Sequence, residues 1–539
     1  MIATELIDSK KYPPKNIIRD ILNIIPYNNR YTKSYLYLAK LIYDNYHVKE
    51  VKSRRINIDI LFYKEYGINS DKNGYFGEIN SENLNIHADD TIYRAIMYND
   101  LEKFIFFTER EEFDKDQKLM SDLYPYEIKR YLSSYKGYSL LELCCYHGAV
   151  DCFKLLRTKF NSEITETCLK FSFLRGNPEI MSECLKYKKP DYQCMEYAII
   201  SHNIDFVTFL INEYKIEIDL GYSGIYNNLE SFLVYFDQTN DINKCFVYST
   251  LFDFPSLSEY FFSHGAEINT KFKYGETALH AAIYRNNKEM SDFLISHGAN
   301  INEKDRDEQT AIHYSATNNN KEIAELLLSH GANINEKDKN GTTALHYAAK
   351  NNRKEIVELL ISHGANVNEK EKNGRTALHY AAKNNRKEIV ELLILQGADI
   401  NEKDNLGKTA LHYSATNNNK EIAELLLSHG ANINEKDGGE QTALHYAVYF
   451  NSKEISVLLI SRGANINEKD NLGKTALHFA AEYNCKETAE LLISGGANIN
   501  EKDNDEQTAL HIAVSKDYKE ISELLLSHGA NINEKDIPG

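Results

Sequence analysis

Residues 343–346 read Thr343-Ala344-Leu345-His346, and this tetrapeptide returns every 33 residues along the C-terminal half of the chain. One copy, ending at His313, has isoleucine in place of leucine. A rigid period of this length indicates a solenoid, because each repeat of such a fold buries its apolar face only against its neighbours. We therefore expect function on an extended surface. The eight histidines are His280, His313, His346, His379, His412, His445, His478 and His511.

Each repeat is predicted to hold two helices, as residues 340–372 illustrate. Thr343 is placed to cap the first helix, and His346, three residues later, can reach back to that cap. The second helix carries an apolar stripe at helical spacing that includes Ile356 and Leu360. Gly364 suits the left-handed residue after a helix, and an extended finger follows it.

The turn between the two helices gives a sharper expectation. Every repeat has Asn or Asp at one position of this turn, and these are the non-glycine residues that best tolerate the left-handed conformation. The pattern therefore predicts one fixed backbone geometry. The residues are Asn286, Asn319, Asn352, Asn385, Asn418, Asn451, Asn484 and Asp517.

The fingers are expected to contain turns of the form Asp-x-x-Gly. In three fingers Glu308, Glu440 and Glu506 replace the glycine. A left-handed residue other than glycine costs on the order of 1 kcal/mol. Two alternatives stay open, since these fingers either form another turn or keep the same turn with modest strain. The acids expected to open finger turns include Asp338, Asp404, Asp437, Asp470 and Asp503.

The pattern resembles the ankyrin repeat. The resemblance rests on the run Gly-x-Thr-Ala-Leu-His-x-Ala-Ala, the helix Glu-Ile-x-Glu-Leu-Leu-Leu and the finger Gly-Ala-Asn-Ile-Asn, which match in eight repeats. A ninth, weaker repeat ends at residues 263–269. The family motif usually has proline at Ala344 and glycine at Asn352, and both replacements fit the geometry. The resemblance implies an all-α solenoid with β-hairpin-like fingers that binds protein partners on its concave face.

The N-terminal half shows the same theme in degraded form and resembles the ankyrin-like domain that precedes regular repeats in large protist protein families. Four stretches read as helix, turn and helix, while residues 215–242 are expected to form an irregular connection. The four turns are Asn99-Asp100, His147-Gly148, Gly176-Asn177 and His202-Asn203. The predicted division is 1–90 (N-terminal helical segment), 91–240 (degenerate ankyrin-like repeats), 241–270 (weak ankyrin repeat) and 271–539 (regular array).

Residues 1–90 do not follow the repeat pattern. They are predicted to hold helices at about 16–25 and 32–46. The basic stretch Lys49–Arg55 is either a solvated helix end or a weak patch for an acidic partner or nuclear import.

Composition excludes several classes of function. Lys and Arg number 62 against 79 Asp and Glu, and the net charge of −17 argues against nucleic-acid binding and docking on anionic membranes. No apolar run reaches the roughly 18 residues of a spanning helix, and residues 1–10 do not read as a secretory signal. The eight cysteines are expected to be reduced core thiols. We expect an intracellular, cytoplasmic monomer, and a nuclear location is also compatible.

The sequence predicts no catalytic, metal or cofactor site. The recurring histidines are expected to lie about one repeat apart, roughly 8–10 Å, whereas zinc ligands each lie about 2.0–2.1 Å from the metal. The histidines of Ser-His-Gly, such as His330, are expected to be favourable cations near helix C-termini. No phosphate-binding loop, calcium loop or nucleophile elbow is present.

Partner-binding candidates are the variable positions of the fingers and of the first-helix ends. Most of these, including Lys350 and Lys383, are interpreted as solvated. The exception is a predicted cluster in adjacent repeats, formed by Tyr449, Phe450, Leu472 and Tyr483. Aromatic residues on a polar face are typical of contact hot spots, although local packing on a neighbouring helix is the alternative. The candidates are Tyr284, Leu406, Tyr449, Phe450, Leu472 and Tyr483.

The predicted function is a non-catalytic protein–protein interaction scaffold or adaptor. One alternative is a substrate-recruiting subunit of a modifying complex such as a ubiquitin ligase, with residues 1–90 as its docking module. A third hypothesis is a structural linker.

Overall fold

Helices dominate the protein. The computed structural model describes residues 14–48, 53, 56–66, 88, 90–121, 123–125, 137–252, 255–272 and 274–535, so the basic stretch Lys49–Arg55 lies almost wholly outside the described residues. The chain divides into two compact units, Met1–Ala266 (unit 1) and Glu267–Gly539 (unit 2). No helix of the described residues is long and apolar enough to cross a membrane.

Three helices open unit 1: Pro14–Ile24, Thr32–Asn45 and Ile56–Glu65. The first two agree with their predicted bounds to within two residues. The short 3₁₀ turns between these two helices are fixed to later helices, because Tyr146 Oη donates to Pro26 O (3.0 Å) and Arg175 Nη2 donates to Asn28 Oδ1 (2.8 Å). This N-terminal segment is therefore an integral part of unit 1.

Helix pairs follow in the described residues of unit 1. The four predicted helix–turn–helix stretches are confirmed, with left-handed residues at Asn99, Gly148, Gly176 and His202. The irregular connection expected at 215–242 is wrong, because a further helix pair lies there. The pairs are Ile92–Tyr98 with Leu101–Thr108, Leu140–His147 with Val150–Lys159, Glu166–Arg175 with Pro178–Leu185, Tyr192–Ile200 with Ile204–Tyr214, Leu220–Ile225 with Leu229–Thr239, and Ile242–Ser249 with Pro255–Ser263. Two short strands, Lys118–Leu119 and Tyr138–Ser139, pair antiparallel.

Unit 2 contains eight regular helix pairs, called repeats 1 to 8 below. All eight predicted turn residues are left-handed, with φ between 51° and 62°, so the expectation of one fixed turn is confirmed. The pairs in order are Ala278–Tyr284 with Lys288–Ser296, Ala311–Asn318 with Lys321–Ser329, Ala344–Lys350 with Lys354–Ser362, Ala377–Lys383 with Lys387–Leu395, Ala410–Thr416 with Lys420–Ser428, Ala443–Tyr449 with Lys453–Ser461, Ala476–Glu482 with Lys486–Ser494, and Ala509–Ser515 with Lys519–Ser527.

The core of unit 2 lies between the helix layers. Ile356 and Leu360 of repeat 3 are fully buried, as the apolar stripe predicts. On the first helix Ala348 and Ala349 are also fully buried, and their small side chains allow neighbouring first helices to pack closely. Each repeat thus buries its apolar face against the next, which is the arrangement of a solenoid.

Adjacent fingers are joined by three kinds of contact. The amide of Lys372 donates to Asn340 O (2.8 Å). Asn368 Oδ1 accepts from the amide of Asp399 (2.8 Å), and Lys370 Nζ lies 2.7 Å from Glu402 Oε1. Equivalent contacts recur along the array. The described fingers form tight turns, and the first finger also has an antiparallel β-bridge between Lys271 and Thr277, whereas both β-strands of the described residues lie in unit 1.

Candidate partner-binding face

The first helices are held by a Thr–His cap. The amide of Thr343 donates to His346 Nδ1 (3.2 Å), and Thr343 Oγ1 lies 2.9 Å from the same nitrogen. The predicted reach of the histidine back to the cap is therefore confirmed, and it occurs in all eight repeats. A contact missed from the sequence is that His346 Nε2 donates to Arg375 O of the next repeat (3.1 Å). Burial lowers the pKa of His346.

The finger turns orient a row of tyrosines. Asp404 Oδ1 accepts from the amides of Leu406 and Lys408, both at 2.9 Å, and the amide of Gly407 donates to Asp404 O. The predicted Asp-x-x-Gly turn is confirmed. Asp404 Oδ2 also accepts from Tyr413 Oη (2.6 Å). Burial raises the pKa of Asp404, but these hydrogen bonds outweigh it and hold the pKa below its ordinary value.

The three glutamate fingers keep the same turn. Glu308, Glu440 and Glu506 have φ of 57°, 60° and 58°, which is left-handed. The amide of Glu440 donates to Asp437 O (3.0 Å), the bond that Gly407 makes in its own finger. Of the two open alternatives, the strained turn is therefore the one adopted, at a cost on the order of 1 kcal/mol each.

Three of the predicted candidate residues form an aromatic cluster, defined here as Tyr449, Phe450 and Tyr483. The Tyr449 ring centroid lies 4.7 Å from that of Phe450 and 4.6 Å from that of Tyr483. The rings nevertheless remain 43%, 47% and 42% exposed in chain order. Below them Phe479 is buried, with its centroid 6.3 Å from that of Tyr483. The cluster thus packs on itself while it still presents apolar surface to solvent.

The other three candidates are exposed but lie elsewhere on unit 2. Leu406 and Leu472 occupy finger turns two repeats apart, and each is more than half exposed. Tyr284 ends the first helix of repeat 1, five repeats before Tyr449. The structure therefore does not bring Tyr284 into the cluster.

Sequence reasoning missed a row of cations on the same elements, here called the basic strip: Lys350, Arg375, Lys383 and Lys408. Arg375 Nε donates to Tyr413 Oη (2.8 Å), and Lys383 Nζ lies 6.0 Å from the centroid of that ring. Lys350 occupies in repeat 3 the position of Lys383 in repeat 4. Periodic placement on successive repeats was the available signal, but these lysines were interpreted as ordinary solvated residues.

The cysteines and His330 are accounted for by packing and hydrogen bonding. All eight cysteines are buried and free, which confirms the expectation of core thiols. His330 Nδ1 donates to Leu326 O (2.9 Å) at the C-terminus of its helix, where the sequence places it. Among the described residues, no group of three or more His, Cys, Asp or Glu side chains could hold a metal ion.

Family comparison agrees with this architecture. A family model described as ankyrin repeats (3 copies) matches residues 248–338, 331–404, 393–470 and 458–536, which together span more than half of the chain. The chain belongs to the ankyrin repeat family. A second family model matches residues 160–235 of unit 1 of this ankyrin repeat protein. It is described as a domain of unknown function (DUF3447), and this domain is associated with ankyrin repeats. No protein with a curated description matches the chain significantly. Ankyrin repeats are generally non-catalytic modules for protein–protein interaction.

Proposed function

We propose that this protein is a non-catalytic adaptor or scaffold that binds a protein partner through unit 2. The binding face consists of the finger turns and the ends of the first helices. The observation that carries the proposal is the aromatic cluster, three mutually packed rings that stay exposed on a largely polar array. A few residues carry most of the binding energy at protein interfaces, and aromatic side chains, tyrosine in particular, are enriched among them.

The stiffness of the face supports the same role. His346 joins its first helix to the next repeat, and Asn368 joins one finger to the next. Because these contacts recur along unit 2, the binding groups are already positioned before a partner arrives. Less conformational entropy is then lost on association, which favours affinity.

The remaining candidates extend the proposed face away from the cluster. Leu472 lies on the finger of repeat 7, the repeat that contributes Tyr483 to the cluster, and Leu406 lies two fingers earlier. We propose Leu472 and Leu406 as secondary contacts, and Tyr284 as a contact only for a partner long enough to reach repeat 1.

The alternative, a substrate-recruiting subunit of a modifying complex such as a ubiquitin ligase, requires a docking module in residues 1–90. Within that segment, Pro26, Asn28 and Asn29 are hydrogen-bonded to other parts of unit 1. A segment bound in this way is less suited to act as a separate docking module, which favours the adaptor.

The first prediction concerns the double substitution Y449A/F450A in the full chain. Affinity purification with quantitative mass spectrometry should show loss of the partner that the unsubstituted protein captures. Truncation of a hot-spot side chain costs about 2 kcal/mol or more, so binding should weaken by roughly 30-fold or more. Circular dichroism should show an unchanged helical content, because both side chains are nearly half exposed.

The matched control is L395A/V457A, which removes two exposed apolar side chains from second helices, 76% and 43% exposed respectively. This control should keep the partner. Equal capture by Y449A/F450A and the unsubstituted protein would rule out the cluster as the anchor.

A further inference from the structure

The adaptor face carries a second feature next to the aromatic cluster, and this feature specifies the chemistry of the partner. We infer that unit 2 binds an extended acidic peptide segment. This segment carries an aromatic or large aliphatic residue near the end that contacts the aromatic cluster. The acidic residues would lie along the basic strip. This inference rests on the proposed function, since it uses the same face.

Three of the four cations of the basic strip lie over tyrosine rings. The guanidinium carbon of Arg375 lies 5.4 Å and Lys383 Nζ 6.0 Å from the Tyr413 ring centroid, and Lys408 Nζ lies 4.3 Å from that of Tyr446. Cation–π contacts of this kind restrain a flexible side chain while its charged end stays available. Arg375, Lys383 and Lys408 therefore form an ordered row of positive charge.

Carboxylates beside the strip are already satisfied within their own turns. Asp404 accepts from two turn amides and from Tyr413, and it lies 3.6 Å from Arg375. Asp437 accepts from the amides of Gly439 and Gln441 and from Tyr446 Oη. Among the described residues, no carboxylate lies within 4.0 Å of the ammonium groups of Lys350, Lys383 or Lys408.

Lysines elsewhere in the same repeats behave differently. Lys370 and Lys403 of the fingers pair with Glu402 and Glu435, both at 2.7 Å. At the start of the second helices Lys354 pairs with Glu388 (3.1 Å). The chain has a net charge of −17, so acidic groups are abundant, and the lysines of the strip are nevertheless left for an external anion.

The basic strip ends next to the aromatic cluster. Arg375 and Lys383 of repeat 4 both contact Tyr413 of repeat 5, and Lys408 of repeat 5 contacts Tyr446 of repeat 6. Tyr449 follows Tyr446 by three residues on one helix, so the two side chains share a face.

The length of the strip sets the length of the segment. From Lys350 to the cluster there are three steps along the array, each roughly 8–10 Å. An extended chain advances about 3.3 Å per residue, so about eight to nine residues span this distance.

The test is selection of binders from a random library of displayed peptides of about twelve residues, with the full chain as bait. Enriched peptides should carry several Asp or Glu residues and a large apolar residue near one end. Synthetic fluorescein-labelled versions are then titrated by fluorescence anisotropy against the unsubstituted protein and K350E/K383E/K408E. Charge reversal should weaken binding at least tenfold, and added salt should weaken binding to the unsubstituted protein.

The matched control is K321E/K420E/K453E, which makes the same change in net charge at the first residues of three second helices and should leave affinity unchanged. Enriched peptides without acidic residues, bound equally by K350E/K383E/K408E but lost with Y449A/F450A, would overturn the inference and leave the proposed function standing. Peptides insensitive to both sets of substitutions would defeat both. A labelled single-stranded oligonucleotide that binds more tightly than the peptides would overturn the inference in favour of nucleic acid.

Discussion

The Thr–His cap fixes the protonation state of a buried side chain. A backbone amide can only donate, so His379 Nδ1, which faces the amide of Thr376 at 3.1 Å, must accept. The opposite nitrogen, Nε2, lies 3.1 Å from two carbonyl oxygens, those of Glu402 and Lys408, so it must carry the proton. The cap therefore requires the neutral imidazole. Burial lowers the pKa of His379, and it lowers that of His280 to about 4.

Acid should consequently destabilise unit 2. The unfolded chain binds protons near the ordinary histidine pKa of about 6.5, while the folded imidazoles bind them only at lower pH. Stability from the caps is therefore fully present above about pH 6.5 and is lost as pH falls toward the folded pKa values. Each of the caps in repeats 1 to 7, where burial lowers the histidine pKa, contributes about 1.4 kcal/mol per pH unit within this window. Thermal unfolding at about pH 7 and about pH 5 should show a lower midpoint in acid.

The control is H379Q, because glutamine can also reach back to an N-cap but does not titrate. In H379Q the number of protons taken up on unfolding in acid should fall by about one, so the unfolding free energy should depend less steeply on pH. An identical pH dependence in H379Q and the unsubstituted protein would show that the caps do not cause the acid effect.

At the scale of single elements, features fixed by a local sequence pattern were predicted correctly, whereas contacts between residues far apart in the sequence were not. Asn352 predicted its left-handed turn because the constraint lies in one residue's own backbone. The helix pair at 215–242 was missed because its first helix, Leu220–Ile225, is only six residues long and contains two glycines, Gly221 and Gly224, which are poor helix formers. In unit 1 first helices also pack through large rings, and the ring centroids of Tyr146 and Phe171 lie 5.4 Å apart. That packing removes the sequence signal while it preserves the helices.

The asparagine contacts between fingers were also missed, because each links residues about one repeat apart. Asn368 makes two of them, since its Oδ1 accepts from the amide of Asp399 (2.8 Å) and its Nδ2 donates to Gly397 O (3.0 Å). We expect N368A to lower the free energy of unfolding by about 1–3 kcal/mol, since each hydrogen bond contributes about 0.5–1.5 kcal/mol. N368D keeps the acceptor for Asp399 but sets a carboxylate oxygen against Gly397 O, so it should cost at least as much as N368A. Urea denaturation of the three proteins tests this order, and equal stability of N368A and the unsubstituted chain would contradict it.

At the scale of the whole molecule, the candidate site depends on how repeats stack. The sequence predicted Tyr449, Phe450 and Tyr483, together with Leu472, as a cluster in adjacent repeats, and the structure adds the ring contacts among the three aromatic residues. The basic strip was hidden by the net charge of −17, which sums over every surface and conceals a local row of cations. Cations contributed by successive repeats can be recognised as one row only when the alignment of those repeats in the stack is known.

Stacking also governs how unit 2 unfolds, because each repeat is stabilised mainly by its two neighbours. Leu393 in repeat 4 is fully buried, and L393A should cost about 2–5 kcal/mol. The destabilised repeat lies between repeats 1–3 and repeats 5–8, so these two sets should unfold independently. Urea unfolding should then show two transitions, each with a smaller m-value than the single transition of the unsubstituted protein. L395A on the same helix removes a side chain that is 76% exposed and should change stability by less than about 0.5 kcal/mol. A single transition with an unchanged m-value in L393A would mean that unit 2 unfolds as one block, in conflict with coupling through nearest neighbours.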